Sequence, residues 1–263
     1  MIDHAVMRVA SLGSGSRGNA TVVCDGRGVS LLIDCGLGVR QVSARLEQLG
    51  LSVGDLDALF VTHEHGDHCK GVAALARKTG LPVYMTQGTA IKGGFESLAS
   101  LRLLHDFAPV VLGSLLVTPV AVPHDAREPC QFVVEQASET GSRKLGILTD
   151  LGSFTPHVLA HYAHCDALVL ECNHDVDMLD EGPYPPSVKR RVRGDWGHLS
   201  NEQAGHFLQR IDTDQLQWLV VAHVSEQNNC PQRALQAVQG CVAINGKITL
   251  ADQSHGFDWL AIH

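Results

Sequence analysis

The stretch FVTHEHGDHCKG, Phe60 to Gly71, ends an apolar run and then sets three histidines, a glutamate and an aspartate into the six residues from His63 to His68. Charge taken out of water without a partner is costly, so such a crowd needs either water or a cation to hold it. In an extended segment side chains alternate, which points His63 and His65 the same way. The turn through Gly66 then brings Asp67 and His68 to the other side of the same cavity. A polar turn finishing a strand is the plain alternative, but a His-x-His-x-Asp-His string directly after a buried strand is a specific pattern for two metal half-sites. Further candidate ligands stand at the ends of other apolar runs: His124 after VAVP, Asp150 after KLGILT and His223 after WLVVA. Singly, each fits a capping or hydrogen-bonding role. Together with the first string they supply five imidazoles and two carboxylates, a count suited to two divalent ions.

The elements that must position these groups are legible as alternating patterns. MRVASL, ATVVC and VSLLID read as three strands, the first two joined by GSGSRGN and the next pair by DGRG. VRQVSARLEQLG puts Val39, Val42, Leu46 and Leu49 on one helical face and ends at Gly50. LDALFVTH reads as a buried strand, VAALARKTG as a helix ending at Gly80, and LPVYMT as a strand; the alternation then blurs. GSLLVTPVAVPHDA reads as two strands, QFVVEQ and KLGILTD as strands around the polar turn ASETGSR, TPHVLAHYAH as a short helix, and DALVLECN as a strand. SNEQAGHFLQRI opens with Ser200 three residues before Gln203, a capping-box spacing. QWLVVAH, PQRALQAVQG and KITLADQ follow as strand, helix and strand. Strand groups separated by helices predict two mixed β-sheets packed face to face with helices outside, an αββα sandwich in a single domain over residues 1–263.

Composition narrows the function classes. The 263 residues are 44% hydrophobic and 5% aromatic, enough for a substantial core. No run of about 18 or more apolar residues occurs, and MIDHAVMRVASLGSG has neither the basic nor the long apolar region of a secretory signal, so the expected location is the cytoplasm, away from membrane. The eight cysteines form no C-x-x-C pair and read as small core residues or free thiols. A net charge of −8 excludes a protein that coats nucleic acid by bulk electrostatics but leaves room for a local basic groove. The one dense basic run, KRRVR at Lys189 to Arg193, fits either a solvated helix face or a phosphate grip. Gly13-x-Gly15-x-x-Gly18 matches the dinucleotide fingerprint only formally, because the β-branched residues Thr21, Val22 and Val23 follow where a helix should open.

THEHGDH with Asp34, His124, Asp150 and His223, in this order along the chain, resembles the metallo-β-lactamase fold superfamily of binuclear hydrolases. SLGSGSRGN, LLIDCGL, VTHEHGDHCKG, PHDA, TDLG, ECNHD, GHLSNEQAG and AHVSEQNN together resemble its YycJ/WalJ-type branch of metal-dependent exonucleases. The motifs run from Ser11 to Asn229; the termini and GGFESLASLRLLHDF are weakly anchored, and Met7 as well as Met1 is a candidate start. The resemblance implies His63, His65 and His124 on one metal, Asp67, His68 and His223 on the other, Asp150 bridging both, and Asp34 behind them as an orienting carboxylate. An aspartate at position 150 separates the chain from true metallo-β-lactamases, which place a cysteine ligand there.

Two divalent ions could share a hydroxide, its parent water acidified toward a pKa of about 7, and could neutralise charge on a phosphoryl oxygen, which makes phosphodiester hydrolysis the expected reaction. Zn²⁺ and Mn²⁺ both suit the ligands, and Fe²⁺ is permitted. The departing alkoxide gains from a proton donor. His198, in GHLSNEQA, is the candidate by resemblance to tRNase Z-like nucleases; a polar loop residue ahead of a helix is the plainer reading. Asn173 and His174 either line the substrate cleft or finish a strand. Ser14, Ser16 and Asn19 either bring backbone amides to a phosphate or make a simple connection. Arg190, Arg191 and Arg193 are candidate phosphate contacts, and Trp196 is the one aromatic near them. The leading expectation is a 5′ exonuclease-like phosphodiesterase on nucleic acid. A small-molecule phosphodiesterase, then a thioester or lactam hydrolase, then a non-catalytic relative stand behind it. The chain lacks room for the inserted domain of RNase J-like enzymes and shows no long exosite arm of the tRNase Z kind.

Overall fold

A computed structural model of the chain describes residues 6–138, 141–241 and 247–263. The candidate start at Met1 and the tip of the expected ASETGSR turn, residues 139–140, lie outside the described residues. In chain order the elements are β1 (Met7–Gly13), β2 (Ala20–Cys24), β3 (Ser30–Ile33), α1 (Val39–Gln48), β4 (Ala58–Phe60), α2 (Gly66–Cys69), α3 (Val72–Thr79), β5 (Val83–Met85), α4 (Gln87–Gly93), β6 (Leu101–Leu103), β7 (Val110–Leu112) and β8 (Leu115–Ala121). They continue with β9 (Cys130–Ser138), β10 (Gly141–Leu148), α5 (Pro156–Tyr162), β11 (Ala167–Glu171), α6 (Val176–Glu181), α7 (Pro186–Arg193), α8 (Asn201–Arg210), β12 (Trp218–Ala222), α9 (Pro231–Val238), β13 (Lys247–Leu250) and β14 (Phe257–Ile262).

Two seven-stranded mixed sheets result, ordered β14-β1-β2-β3-β4-β5-β6 and β13-β12-β11-β10-β9-β8-β7. Each is antiparallel in one half and parallel in the other: β3 through β6 run parallel, as do β10 through β13. Alternation along the strands divides the core. Val9, Leu31, Ile33 and Phe60 of one sheet face Phe132, Ile147, Val169 and Val220 of the other, with the Phe60 and Phe132 rings edge to face at 5.4 Å. The intervening side chains point outward. Val22, Leu32 and Leu59 meet Val42 and Leu46 of α1 and Leu75 of α3, while Val133, Leu168 and Val221 meet Tyr162 of α5 and Phe207 of α8. Strands buried on both faces must be apolar throughout, which is why β3, β4 and β12 read as unbroken hydrophobic runs. The αββα sandwich is therefore as expected.

Local chemistry starts and stops the helices as the residues suggest. Ser200 and Gln203 cap α8 reciprocally, Thr155 accepts from the Val158 amide ahead of Pro156, and Gly80 closes α3 in the left-handed region. One expectation fails: GSLLVTPVAV is a single strand, β8, and runs through Pro119. β7 pairs with β8 only as far as Val117, so Pro119 sits where β8 is an edge on that side and a missing amide costs no ladder bond. β6, β7 and α4 were beyond sequence patterning because three-residue strands and a seven-residue helix carry too few periods to register. No helix among the described residues is long and apolar enough to cross a membrane. All eight cysteines are free, and burial pushes the thiols of Cys35 and Cys165 up to about 12, so both behave as packing residues.

Candidate metal centre

The parallel halves of the two sheets bring their strand tips to one edge, and the candidate ligands stand on those tips. Asp34 follows β3, the His63–His68 string follows β4, Asp150 follows β10, and His223 follows β12; His124 comes just after β8. Asp34, Asp150 and His223 have φ of 61°, 52° and 53°. A left-handed backbone at a non-glycine residue costs on the order of 1–3 kcal/mol, so its surroundings must hold it there, and such positions gather at functional sites. At all three the chain turns sharply off the strand and leaves the side chain in the cleft between the sheets. α2 supplies the turn expected around Gly66, placing Asp67 and His68 opposite His63 and His65.

Four groups of side chains bring ligand atoms within 4.8 Å of one another: His63, His65 and His124; Asp67, His68 and His223; His63, His68 and Asp150; and Asp150, Glu171, His198 and His223. Asp150 thus joins the two histidine sets. His63 and His223 are buried, yet the Nε2 of each lacks a hydrogen-bond partner. A buried imidazole nitrogen left unpaired is costly in a sealed protein but is what a metal ligand looks like without its ion. The nitrogen and oxygen donors therefore fit divalent cations.

Behind the donors lies a ring of orienting contacts. Thr62 donates its amide to Asp34 Oδ1 at 2.8 Å, and its hydroxyl lies 3.0 Å from His63 Nδ1. Asp34 Oδ2 stands 2.7 Å from His68 Nδ1. His124 Nδ1 donates to the Gly197 carbonyl at 3.0 Å. His223 Nδ1 is 2.9 Å from Glu171 Oε1, and His198 Nδ1 reaches the same oxygen at 2.8 Å. His63, His68, His124 and His223 are thereby held through Nδ1, which leaves Nε2 to the cleft, whereas His65 brings Nδ1 to 3.3 Å from His124 Nε2.

The charges are mutually dependent. Burial alone would lower the pKa of His68, but Asp150 and Asp34 hold it well above the ordinary imidazole value; burial opposes Asp150, Asp67 and Glu171 at His223, which is raised to about 10. Burial would raise Asp150 and Glu171, but the imidazoles around them dominate: Asp150 falls well below the usual carboxylate range, and Glu171 falls to about 2. His63 is lowered by burial and by His68, which together outweigh the opposing pull of Asp150.

A family model described as a beta-lactamase superfamily domain matches residues 30–220. The chain belongs to that superfamily. As a member, it is 36% identical over 231 residues to the exodeoxyribonuclease YycJ of Bacillus anthracis, covering 86% of each chain, and 30% identical over 229 residues to the exodeoxyribonuclease WalJ of Streptococcus pneumoniae, covering 85% of this chain and 83% of that one. Its fold is similar to that of the metallo-beta-lactamase fold protein YhfI from Bacillus subtilis, with a TM-score of 0.73 at 17% identity over 97% of this chain and 99% of that one. It is also similar to the short form of human tRNase Z, with a TM-score of 0.65 at 20% identity over 97% and 99%. This superfamily member is a metal-dependent hydrolase.

Around the donors, several residues expected at the substrate do other work. Ser14 and Asn19 are buried: the Ser14 hydroxyl accepts from the His223 amide at 2.9 Å, and the Asn19 amide lies 2.9 Å from His68 Nε2. The glycine-rich loop braces the site from behind, and of its polar side chains Ser16 and Arg17 are exposed. Asn173 donates to the His223 carbonyl at 3.2 Å. His174 is fully buried, and neither ring nitrogen has a partner. Arg191 pairs with Asp125, which stands 3.4 Å from His124 Nε2; Arg193 pairs with Asp180. Among the described residues, Arg190 has no ion-pair partner. Glu171 was missed as a separate candidate. Its signal was available: a carboxylate closing the otherwise apolar strand ALVLE, where burial demands a partner.

Gly36 shows how closely the loops are pressed. A Cβ there would lie 1.6 Å from the Asp67 carbonyl oxygen, and the Asp67 carbonyl also accepts the Asn19 amide at 2.7 Å. Gly36→Ala is expected to cost about 3 kcal/mol or more, since overpacked backbone cannot rotate aside. Calorimetry should read a Tm lower by roughly 6–12 °C; an unchanged Tm would mean that the loops separate freely.

Proposed function

We propose that the chain is a nuclease that removes nucleotides from the end of DNA by phosphodiester hydrolysis, using two divalent cations, in the cytoplasm and from one hydrolase domain. His63, His65 and His124 would hold one ion, Asp67, His68 and His223 the other, with Asp150 serving both. Ions held there supply an activated water and neutralise charge on the phosphoryl oxygens. Zn²⁺ and Mn²⁺ fit the mixed imidazole and carboxylate set, and Fe²⁺ is permitted.

The observation that carries the reading is His198. Its Nδ1 is taken by Glu171 at 2.8 Å, it lies 3.4 Å from Asp150 Oδ1, and it remains partly exposed. Burial would lower its pKa, but Glu171 and Asp150 hold it above the ordinary imidazole value, which favours the protonated ring. That leaves Nε2–H free to protonate a departing deoxyribose oxygen, a need of phosphodiesters with poor leaving groups rather than of thioesters. Identity to two exodeoxyribonucleases favours DNA. Eight free thiols fit a reducing compartment.

The test is cleavage of 5′-phosphorylated DNA by chelator-stripped protein given Mn²⁺ or Zn²⁺. Stepwise, metal-dependent shortening is expected. Hydrolysis of bis(p-nitrophenyl) phosphate without any shortening of DNA would move the substrate to a small diester.

Loading itself should release protons. His68 and His223 are raised above the ordinary imidazole value and carry protons at pH 7 in the metal-free protein, yet a ligating nitrogen must be bare. Metal affinity is therefore expected to rise with pH across the neutral range, with roughly two protons released per chain. Calorimetric titration in two buffers of different ionisation heat measures this; identical heats in both would sink the assignment of these two ligands.

A further inference from the structure

Trp196 is the exposed aromatic that the fold holds rigidly at the rim of the site. It is 63% exposed, and neither its ring nor its indole nitrogen has a partner among the described residues. The other two tryptophans are tied down: Trp218 donates to the Ala261 carbonyl and Trp259 to the Leu49 carbonyl, with Lys247 and Arg8 over their rings. An unpartnered tryptophan on a floppy loop would mean little, but this one sits on a pinned turn. Gly197 N–H donates to the Gly194 carbonyl at 2.7 Å and His198 N–H to the Val192 carbonyl at 2.9 Å. The turn also packs so tightly on Gly152, two residues past Asp150, that a Cβ there would lie 2.3 Å from the Gly197 nitrogen and 2.4 Å from the Asp195 carbonyl carbon. The residue after Trp196 accepts a hydrogen bond from His124, and the next is His198.

The helix that precedes Trp196 in the chain carries charge of the sign an anionic polymer needs. α7 ends three residues before Trp196, and a cavity of about 440 Å³ there is lined by Lys189, Arg190 and Arg193 with Asp180, Pro186 and Gly194. Lys189 and Arg193 are held by Asp180, which leaves Arg190 as the free cation of that wall. A pinned, exposed aromatic and an unpaired guanidinium on adjoining segments are the parts by which single-stranded nucleic acid is held without sequence preference, because every base has a π-face. We propose that Trp196 is the stacking platform for the nucleobase on the leaving-group side of the scissile phosphate, with Arg190 taking a neighbouring backbone phosphate. The proposal rests on the nuclease reading above and adds to it the single-stranded end as the form of substrate and the residue that grips it.

The experiment compares wild type, Trp196→Ala and Trp196→Phe on a 5′-phosphorylated single-stranded oligonucleotide and on the same strand lacking the base at the leaving-group nucleotide. Trp196→Ala should raise KM about tenfold on the intact strand with kcat nearly unchanged, and Trp196→Phe should recover most of the loss. The missing base should cost wild type a similar factor and cost Trp196→Ala nothing further, since the pair no longer exists to be broken. Titrating the metal-free protein with the intact strand should quench tryptophan fluorescence in wild type and leave Trp196→Ala unquenched. Equal KM values and equal base dependence in wild type and Trp196→Ala would overturn the proposal while leaving the nuclease intact. A wild type that cleaves small diesters but neither binds nor shortens the strand would take both readings down.

Discussion

Asp150→Asn is expected to lower kcat/KM on DNA by about a thousandfold or more, the largest single effect in the protein. Among the described residues, Asp150 is the one carboxylate whose oxygens lie with both histidine sets. Electrostatic support of a phosphoryl centre by bound cations is worth several kcal/mol, and each 1.36 kcal/mol is tenfold in rate. Asparagine suits the test because residue 150 has φ 52°, a backbone that Asn adopts more readily than Ala; loss of activity will then not be loss of the turn. The variant should also hold less metal after dialysis, since a neutral amide replaces a carboxylate kept ionised by His223 and His68 against burial. Activity above a tenth of wild type at full metal content would remove Asp150 from the ligand set.

The second large effect separates leaving groups. His198→Ala should reduce cleavage of DNA by about 10²–10⁴-fold, the usual worth of a positioned proton donor. On bis(p-nitrophenyl) phosphate the same variant should lose less than about tenfold, because p-nitrophenolate departs without a proton. Equal losses on both substrates would make His198 a binding or structural residue instead. The pH profile carries a sign. Burial would lower the pKa of His198, and Glu171 keeps it raised, so the acid form survives to higher pH than in an ordinary imidazole and the rate falls as pH climbs past the raised value. Glu171→Gln removes that support and should move the alkaline limb to lower pH. Because Glu171 also touches His223, metal content must be measured in the same samples.

Much of this protein is written locally. The string after β4 offered its candidate chemistry because six successive residues supply four of the candidate donors and a short helical turn suffices to aim them. Asp150 and His223 were also readable, each being a lone polar residue at the tip of an apolar run, and continuous runs such as SLLI and WLVVA implied strands buried on both faces. β14 was not readable: FDWLAI pairs with β1 from the far end of the chain, and edge position is a property of the sheet rather than of the segment.

What only the tertiary structure decided are the contacts between distant segments. Glu171 was visible as an odd strand ending, but its join to His198 and His223, 27 and 52 residues away, depends on parallel pairing of β11 with β12. The roles of Ser14 and Asn19 passed from candidate phosphate contacts to braces of His223 and His68 because the glycine-rich loop folds beneath the strand tips. Arg191 looked like one of three equivalent cations until Asp125, 66 residues earlier, claimed it. Residue types and short-range spacing determine which groups are available and which way a strand or turn aims them. Which group ends beside which is set by sheet order, because burial brings together tips that lie anywhere along the chain and only then selects the partners that satisfy their charge.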